Sequence, residues 1–355
     1  MPHPPTAPTD RPSGTASQPS RPQPRAVLAM HPGLAPHLID PRTMARLTSL
    51  ATLDPLVIVD DFTTPEAVAA LAETEVIISS WGCPPIDESV LAAAPVLRAV
   101  IHVAGSVKHH ITDACWQRGI RVTSAAWANA LPVAEYTVAA VLWANKQVLR
   151  LATEYRERRA PYDWQHANPG IGNYRRTVGI VGASQIGRRV LELLRPFDLE
   201  LLLHDPFVDS AEAMALGARW VSLDELCALS DVVSVHAPEL PETRHLISRR
   251  LLALMPDGST LVNTSRGSLI DQEALVEELT AGRLHAVLDV STPDVLPADS
   301  PLYDLPNVLL TPHVAGSLGT ELHRMATAAA EELARYTADL PFAHPVLPEN
   351  IHRTA

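Results

Sequence analysis

The stretch Val178-Gly-Ile-Val-Gly182-Ala-Ser184-Gln-Ile-Gly187 decides the fold. A short apolar run ends in a glycine turn and passes into a segment with Ile186, Val190, Leu193 and Leu194 at helical spacing. Strand, glycine turn and helix in that order are the context of the dinucleotide-binding fingerprint G-x-G-x-x-G. The first glycine makes the turn, the second lets backbone approach a pyrophosphate at the helix N-terminus, and the third lets helix and strand pack closely. Ser184 takes the second place. Its Cβ could push the pyrophosphate outward, or its hydroxyl could donate a hydrogen bond to it. Asp205 ends the next apolar run, 18 residues beyond Gly187. An acid there bonds a ribose hydroxyl and repels a 2′-phosphate, and Pro206, Phe207 and Val208 add no cation, so NADH is expected over NADPH.

Outward from this stretch the same alternation continues. Val178–Val181, Leu201–Leu203, Val232–Val235, Leu261–Asn263, Ala286–Val290 and Val308–Leu310 read as six strands with crossover helices, a doubly wound α/β sheet. Towards the N-terminus, from Leu56 onward, Val57–Val59, Val76–Ile78, Val100–Ile101 and Val122 read as strands of a second parallel sheet, with Thr64-Pro65 opening a helix. One long helix is expected from about Pro132 to Arg158, as a spine between two domains, followed by a loop over residues 160–176. The segment Thr320–Tyr336 has helical spacing and is expected to pack back on the first domain. Residues 1–25 hold eight prolines and only Met1, Ala7 and Ala16 as apolar residues, the composition of a disordered tail.

Composition sets the remaining bounds. At 355 residues with 46% apolar and 19% charged, the chain suits two globular domains. A formal charge of -12 without a polybasic run argues against nucleic acid as a partner. Cys83, Cys115 and Cys227 stand far apart, and no signal sequence or membrane-length apolar run is evident, so a reduced, cytoplasmic protein is expected. No metal is expected: His109, His110 and His236 have no further ligand at metal spacing.

Three segments follow strands, where ligands sit in open α/β sheets: Asn263-Thr-Ser-Arg266-Gly267, Leu288-Asp289-Val290-Ser-Thr-Pro-Asp294 and Thr311-Pro-His313-Val-Ala-Gly316. A guanidinium holds a planar carboxylate in two parallel hydrogen bonds, and a histidinium can protonate an oxygen as hydride reaches its carbon. With these stand Trp81-Gly82, Val103-Ala104-Gly105-Ser106, Asn129-Ala-Leu-Pro132-Val-Ala-Glu135, SVHAPELPETRHLI and LPNVLLTPHVAG. Over about Ile77 to Gly316 the chain resembles the D-isomer-specific 2-hydroxyacid dehydrogenases, the family of phosphoglycerate, glyoxylate and hydroxypyruvate enzymes.

The resemblance implies a Rossmann-type NAD domain, residues 141–318, inserted into a flavodoxin-like catalytic domain, residues 26–140 plus 319–355. It also implies a homodimer acting on a 2-oxo or 2-hydroxy acid. Carried over by position, Arg266 resembles the substrate-binding arginine, His313 the acid/base, and Asp289 the aspartate near the nicotinamide carboxamide. Gly105 and Ser106, with Ala104, Trp81 and Gly82, match the substrate side. Gly182, Ser184, Gln185, Ile186, Gly187, Asp205, His236, Ala237, Pro238, Thr264, Ser265, Arg266, Asp289, His313 and Gly316 are the expected cofactor contacts. The family has glutamate before proline as the histidine's partner, whereas this chain has Asp294 before Val295. Asp294 is expected to serve, from roughly 1.5 Å further back, one carbon–carbon length, and to hold the imidazolium proton less firmly. A second reading, from another class, is an NADH-responsive, corepressor-like binding protein with little turnover, motivated by Ser184, Asp294 and the proline-rich tail.

Overall fold

A computed structural model describes residues 22–351 of the chain. Two sheets carry the architecture. The first holds β1 (Ala26–Ala29), β2 (Ile58–Val59), β3 (Val76–Ser79), β4 (Ala99–His102) and β5 (Arg121–Ser124), with an antiparallel edge strand added from the far end of the chain. The second holds β6 (Thr177–Val181), β7 (Glu200–His204), β8 (Arg219–Trp220), β9 (Val232–Val235), β10 (Thr260–Asn263), β11 (His285–Leu288) and β12 (Val308–Leu310), all parallel. The added edge strand of the first sheet is β13 (Pro345–Val346). The orders are β13-β5-β4-β3-β1-β2 and β12-β11-β10-β9-β6-β7-β8. The first contains the flavodoxin-like order and the second the Rossmann order, which reverses direction between β6 and β9. The chain is a two-domain α/β protein of the expected class.

The central strands are apolar without alternation because helices cover both faces; Val76–Ile78, Ala99–Ile101 and Leu261–Val262 are all buried. The Ala126–Asn145 helix joins the two cores. Its Ala128 packs in the core of the first sheet, and its Ala134, Ala140 and Val141 pack in the core of the second. The Leu322–Thr337 helix returns to the first sheet through Met325, Ala329, Leu333 and Tyr336 and packs on the Pro41–Leu50 helix, as expected.

Several expectations need correction. The alternating pattern starts at Ala26 rather than Leu56, with β1 at the heart of its sheet. Of the expected tail, residues 1–21 lie outside the described residues, while Arg25 already bridges to Thr52 and the Thr52 N–H donates to the Pro24 carbonyl. The spine is two helices, Ala126–Asn145 and Val148–Arg158, because Gln147 adopts φ 47 and breaks the hydrogen-bond ladder. Pro132 lies inside the first helix instead of opening it. The second sheet has seven strands among the described residues, and β11 stops at Leu288, releasing Asp289 into the loop.

Candidate active site

Strand register assembles the site. Val181 pairs with Val235, Val235 with Asn263, Asn263 with Leu288, and Leu288 with Leu310. The loops that follow therefore start level with one another, at Gly182, His236, Thr264, Asp289 and Thr311. Val181 also pairs with His204, which sets Asp205 beside the glycine turn.

That turn admits little besides glycine. Gly182 has φ +100, and a Cβ there would sit 2.7 Å from the Ala237 nitrogen. A Cβ on Gly187 would meet the Gly182 carbonyl oxygen at 2.1 Å. Ser184 is in ordinary extended backbone, φ −64, and caps the Gln185–Leu194 helix: its Oγ accepts from the Gly187 N–H at 3.3 Å. The hydroxyl oxygen thus serves the helix end. Asp205 accepts from the Ala183 N–H at 2.7 Å through one oxygen and from the Phe207 N–H at 2.8 Å through the other, so it shapes the loop as well as lining it. Arg188 reaches the same loop through the Ala183 carbonyl and is paired with Glu212.

Across the switch point, His236 is buried, its Nε2 is 2.8 Å from the Ser234 hydroxyl, and burial pushes its pKa down to about 3. Its Nδ1 is buried without a partner among the described residues. A cradle that side chains would fill, a helix N-terminus and this orphaned ring nitrogen fit a bound dinucleotide. Thr264 and Ser265 are buried behind them: Thr264 shares a 3.0 Å hydroxyl contact with Thr137, and Ser265 donates to the Val235 carbonyl.

His313 stands in left-handed backbone, φ 56, a conformation costing about 1–2 kcal/mol for a side-chain-bearing residue. Asp289 fixes it there. The buried Asp289 carboxylate accepts from the Thr311 hydroxyl at 2.6 Å and from the Val314 and Ala315 N–H groups at 2.8 Å each. Its carbonyl accepts from the His313 N–H at 2.9 Å. The resemblance places Asp289 near the nicotinamide carboxamide; three of its roughly four acceptor sites hold the histidine loop.

Arg266 is 41% exposed; one Nη donates to the Ser265 carbonyl at 2.7 Å, and Nε lies 3.9 Å from Glu239. Gly267 brings this loop against the next one, since a Cβ there would sit 2.2 Å from the Ser291 carbonyl carbon. The expected contact between Asp294 and His313 is not formed. Both are exposed, and among the described residues neither side chain has a hydrogen-bond or ion-pair partner.

The residues expected on the substrate side come from the first sheet. Trp81 is half-exposed, and its carbonyl accepts from the His31 N–H; Gly82, at φ +86, leaves no room for a Cβ beside His31. Ala104 is buried, whereas Gly105 and Ser106 are partly open. Cys83 has its thiol pushed up to about 12 by burial, the state of an inert core cysteine.

Two residues that the sequence did not place in the site stand between the halves. Asn129 accepts from the Ser317 N–H at 2.9 Å, and a Cβ at Gly105 or Gly316 would lie within ordinary contact of its amide. Its signal was a lone polar amide in the Ala-rich first turns of a helix. Lys108, beyond Ser106, has its ammonium pKa lowered by burial and by the charge of Arg266, against an opposing pull from Glu239. The loop of one sheet thus lies within electrostatic reach of the other. No cluster of three His, Cys, Asp or Glu side chains suited to a metal occurs among the described residues, nor a helix long and apolar enough to cross a membrane.

A Rossmann sheet with a glycine cradle at its switch point, facing a second sheet across a charged cleft, defines a two-domain nucleotide-binding α/β protein. Residues 138–315 match the NAD binding domain of the D-isomer specific 2-hydroxyacid dehydrogenases, and the chain belongs to that family. It is 34% identical over 268 residues to a D-3-phosphoglycerate dehydrogenase of Mycobacterium tuberculosis, covering 75% of this chain and 50% of that one. It therefore spans about half the length of that relative. It is 32% identical over 275 residues to glyoxylate/hydroxypyruvate reductase B of Yersinia pestis, covering 76% and 82% respectively. The structure is similar to that of the TT0316 protein of Thermus thermophilus, with TM-score 0.70, 30% identity and coverage of 91% of this chain and 100% of that one.

Proposed function

We propose that the chain is an NAD(H)-dependent oxidoreductase that interconverts a 2-oxo acid and the corresponding D-2-hydroxy acid. The observation that carries this reading is the junction at Asn129, which accepts from the Ser317 N–H in the loop after His313 and lies beside Gly105 in the loop of the other sheet. In this reading the Gly105 and Ser106 backbone amides bind the substrate carboxylate. Arg266, planar and permanently charged, holds the carboxylate and carbonyl oxygens. Bound NADH supplies the hydride. The His313 imidazolium gives its proton to the carbonyl oxygen in reduction, and the neutral ring takes one back in oxidation. The Asp289 bonds aim His313, and Asp294, which does not touch the ring in this structure, is the carboxylate proposed to stabilise its charged form.

Ser184, Gln185, Ile186 and the two glycines take the pyrophosphate, and His236, Ala237, Pro238, Thr264, Ser265 and Gly316 line the rest of the cofactor's course. Asp205 favours NADH over NADPH, and Glu212 neutralises Arg188, a cation that otherwise reaches toward the same ribose. A homodimer is part of the reading: Trp143, 55% exposed, borders an apolar cleft with Tyr136, Ala139 and Val148 that suits a second copy of the chain. Its three free cysteines suit a reducing cytoplasm.

The test is NADH oxidation with glyoxylate, hydroxypyruvate, pyruvate and phenylpyruvate, with His313→Ala as control. Turnover lost in the variant supports the reading and ranks the side chains. NADH binding with no turnover on any acid favours the NADH-responsive, corepressor-like binding protein, a second reading supported by the unjoined His313 and Asp294. Sedimentation checks the dimer.

A further inference from the structure

Directly beneath the Gly105–Ser106 loop lies a polar cluster that the chemistry above leaves unused. Ser79 ends β3 and His102 ends β4, paired in register, and His110 closes the loop that follows β4. The Ser79 hydroxyl lies 3.0 Å from His102 Nδ1 and 3.1 Å from His110 Nε2, and the two rings are 4.5 Å apart. All three side chains are buried, at 0%, 3% and 3% exposure. Three apolar side chains would fill this space without the desolvation cost of buried polar groups, so the network is there for its directionality.

The roles follow from counting protons. Burial pushes His102 well below its ordinary pKa and His110 down to about 4, so each ring is neutral near pH 7, with one donor and one acceptor nitrogen. His109, on the same loop, pushes both the same way. The Ser79 hydroxyl, standing between His102 Nδ1 and His110 Nε2, donates to whichever facing nitrogen is unprotonated and accepts from the other. His102 and His110 bracket the loop, one at its start and one at its end, so the shared hydroxyl ties its two ends together. The backbone closes the circuit: the Val103 N–H donates to the Ser79 carbonyl, the His110 N–H to Val107 and the Ile86 N–H to His110.

We propose that Ser79, His102 and His110 are positioning residues that set the conformation of the 103–110 loop for the substrate carboxylate. The inference rests on the reading that Gly105 and Ser106 bind that carboxylate. It assigns the device to the wall of the substrate half, away from the reacting atoms.

Ser79→Ala removes the shared hydroxyl with little change of volume. KM for the preferred 2-oxo acid of the panel is expected to rise about five- to tenfold, the worth of one lost hydrogen bond. In the same variant kcat and the Kd for NADH should stay within about twofold, because neither depends on this loop's carboxylate contacts. Amide hydrogen exchange across residues 103–110 should quicken, while exchange in the glycine turn at 182–187 should not. His110→Gln, which keeps an amide donor for Ser79, should fall between wild type and Ser79→Ala in both readouts. It also serves if Ser79→Ala folds poorly. Unchanged KM together with unchanged exchange overturns the inference. If wild type reduces no 2-oxo acid, exchange still decides the positioning: quickened exchange keeps the device and overturns only the carboxylate reading, and unchanged exchange overturns the device.

Discussion

At the ends of β6 and β9 the nucleotide sheet shapes its ligand space with backbone. At the equivalent ends of β3 and β4 the substrate sheet uses side chains. In the first, Gly182 and Gly187 leave room that any Cβ would fill. In the second, Ser79, His102 and His110 fill the space and hydrogen-bond to one another. In the proposed reading, the difference matches what each half has to recognise. A pyrophosphate is the same in every turnover and is met by N–H groups that every residue carries. A carboxylate on a variable acid is met by a loop whose shape its own side chains must set. Backbone sites are rigid and readable; side-chain sites are tunable and hidden.

The heaviest test of this division is His313→Ala. The chemistry should fall by about 10²- to 10⁴-fold in kcat/KM, the usual worth of a positioned acid/base. Fluorescence titration should find NADH affinity within about twofold of wild type, if the cofactor is held by backbone as argued. Comparable losses in both would show that the histidine loop also builds the cofactor site.

Acid should strain the buried histidines. An unfolded chain takes up protons below about pH 6.5, whereas folded His110 refuses one until about 4. The stability this histidine contributes is therefore complete above the upper value, falls as pH drops through this window, and is gone beneath it. His110 alone accounts for roughly 3 kcal/mol across the window. His102 adds in the same direction, and His236, with its pKa near 3, does so from the nucleotide sheet. Urea unfolding at several pH values should show His110→Gln with a shallower decline than wild type. An identical slope would mean that the network is protonated or open in solution.

Gly182→Ala attacks the other side of the comparison. A methyl group 2.7 Å from the Ala237 nitrogen at φ +100 must displace the turn or the strand end beside it. NADH affinity should fall by at least about tenfold, equal to about 1.4 kcal/mol. Exchange in the 103–110 loop should be untouched. Altered exchange there would show that the two halves are set together.

What the sequence disclosed follows the same line. The glycine turn, Asp205, the apolar runs and the polar residues after each strand are local patterns, and they located the second sheet, Arg266 and His313. The Ala26–Ala29 strand escaped because four small apolar residues behind a proline-rich stretch carry no periodicity of their own. They become a strand only through pairing with β2 and β3. The helix break at Gln147 has no glycine or proline to announce it. Asn129, Lys108 and the Ser79 network join residues far apart in the chain, so no window contains them. The hold of Asp289 on the histidine loop escaped as well, because its three bonds there depend on where β11 ends.

Asp294 tests the smallest effect and the finest point of the comparison. If the substrate half is tuned by side chains, then the length of one carboxylate should register in the chemistry. Asp294→Glu extends the group by roughly 1.5 Å toward a ring it does not touch here. A carboxylate brought closer stabilises the imidazolium. Because reduction needs the protonated ring, its rate declines as pH rises, and in the variant this decline should move to higher pH. Superimposable pH–rate profiles would separate Asp294 from His313. The task of aiming the imidazole would then fall to Asp289, which holds the ring's backbone on both sides and whose substitution by asparagine would become the experiment of interest.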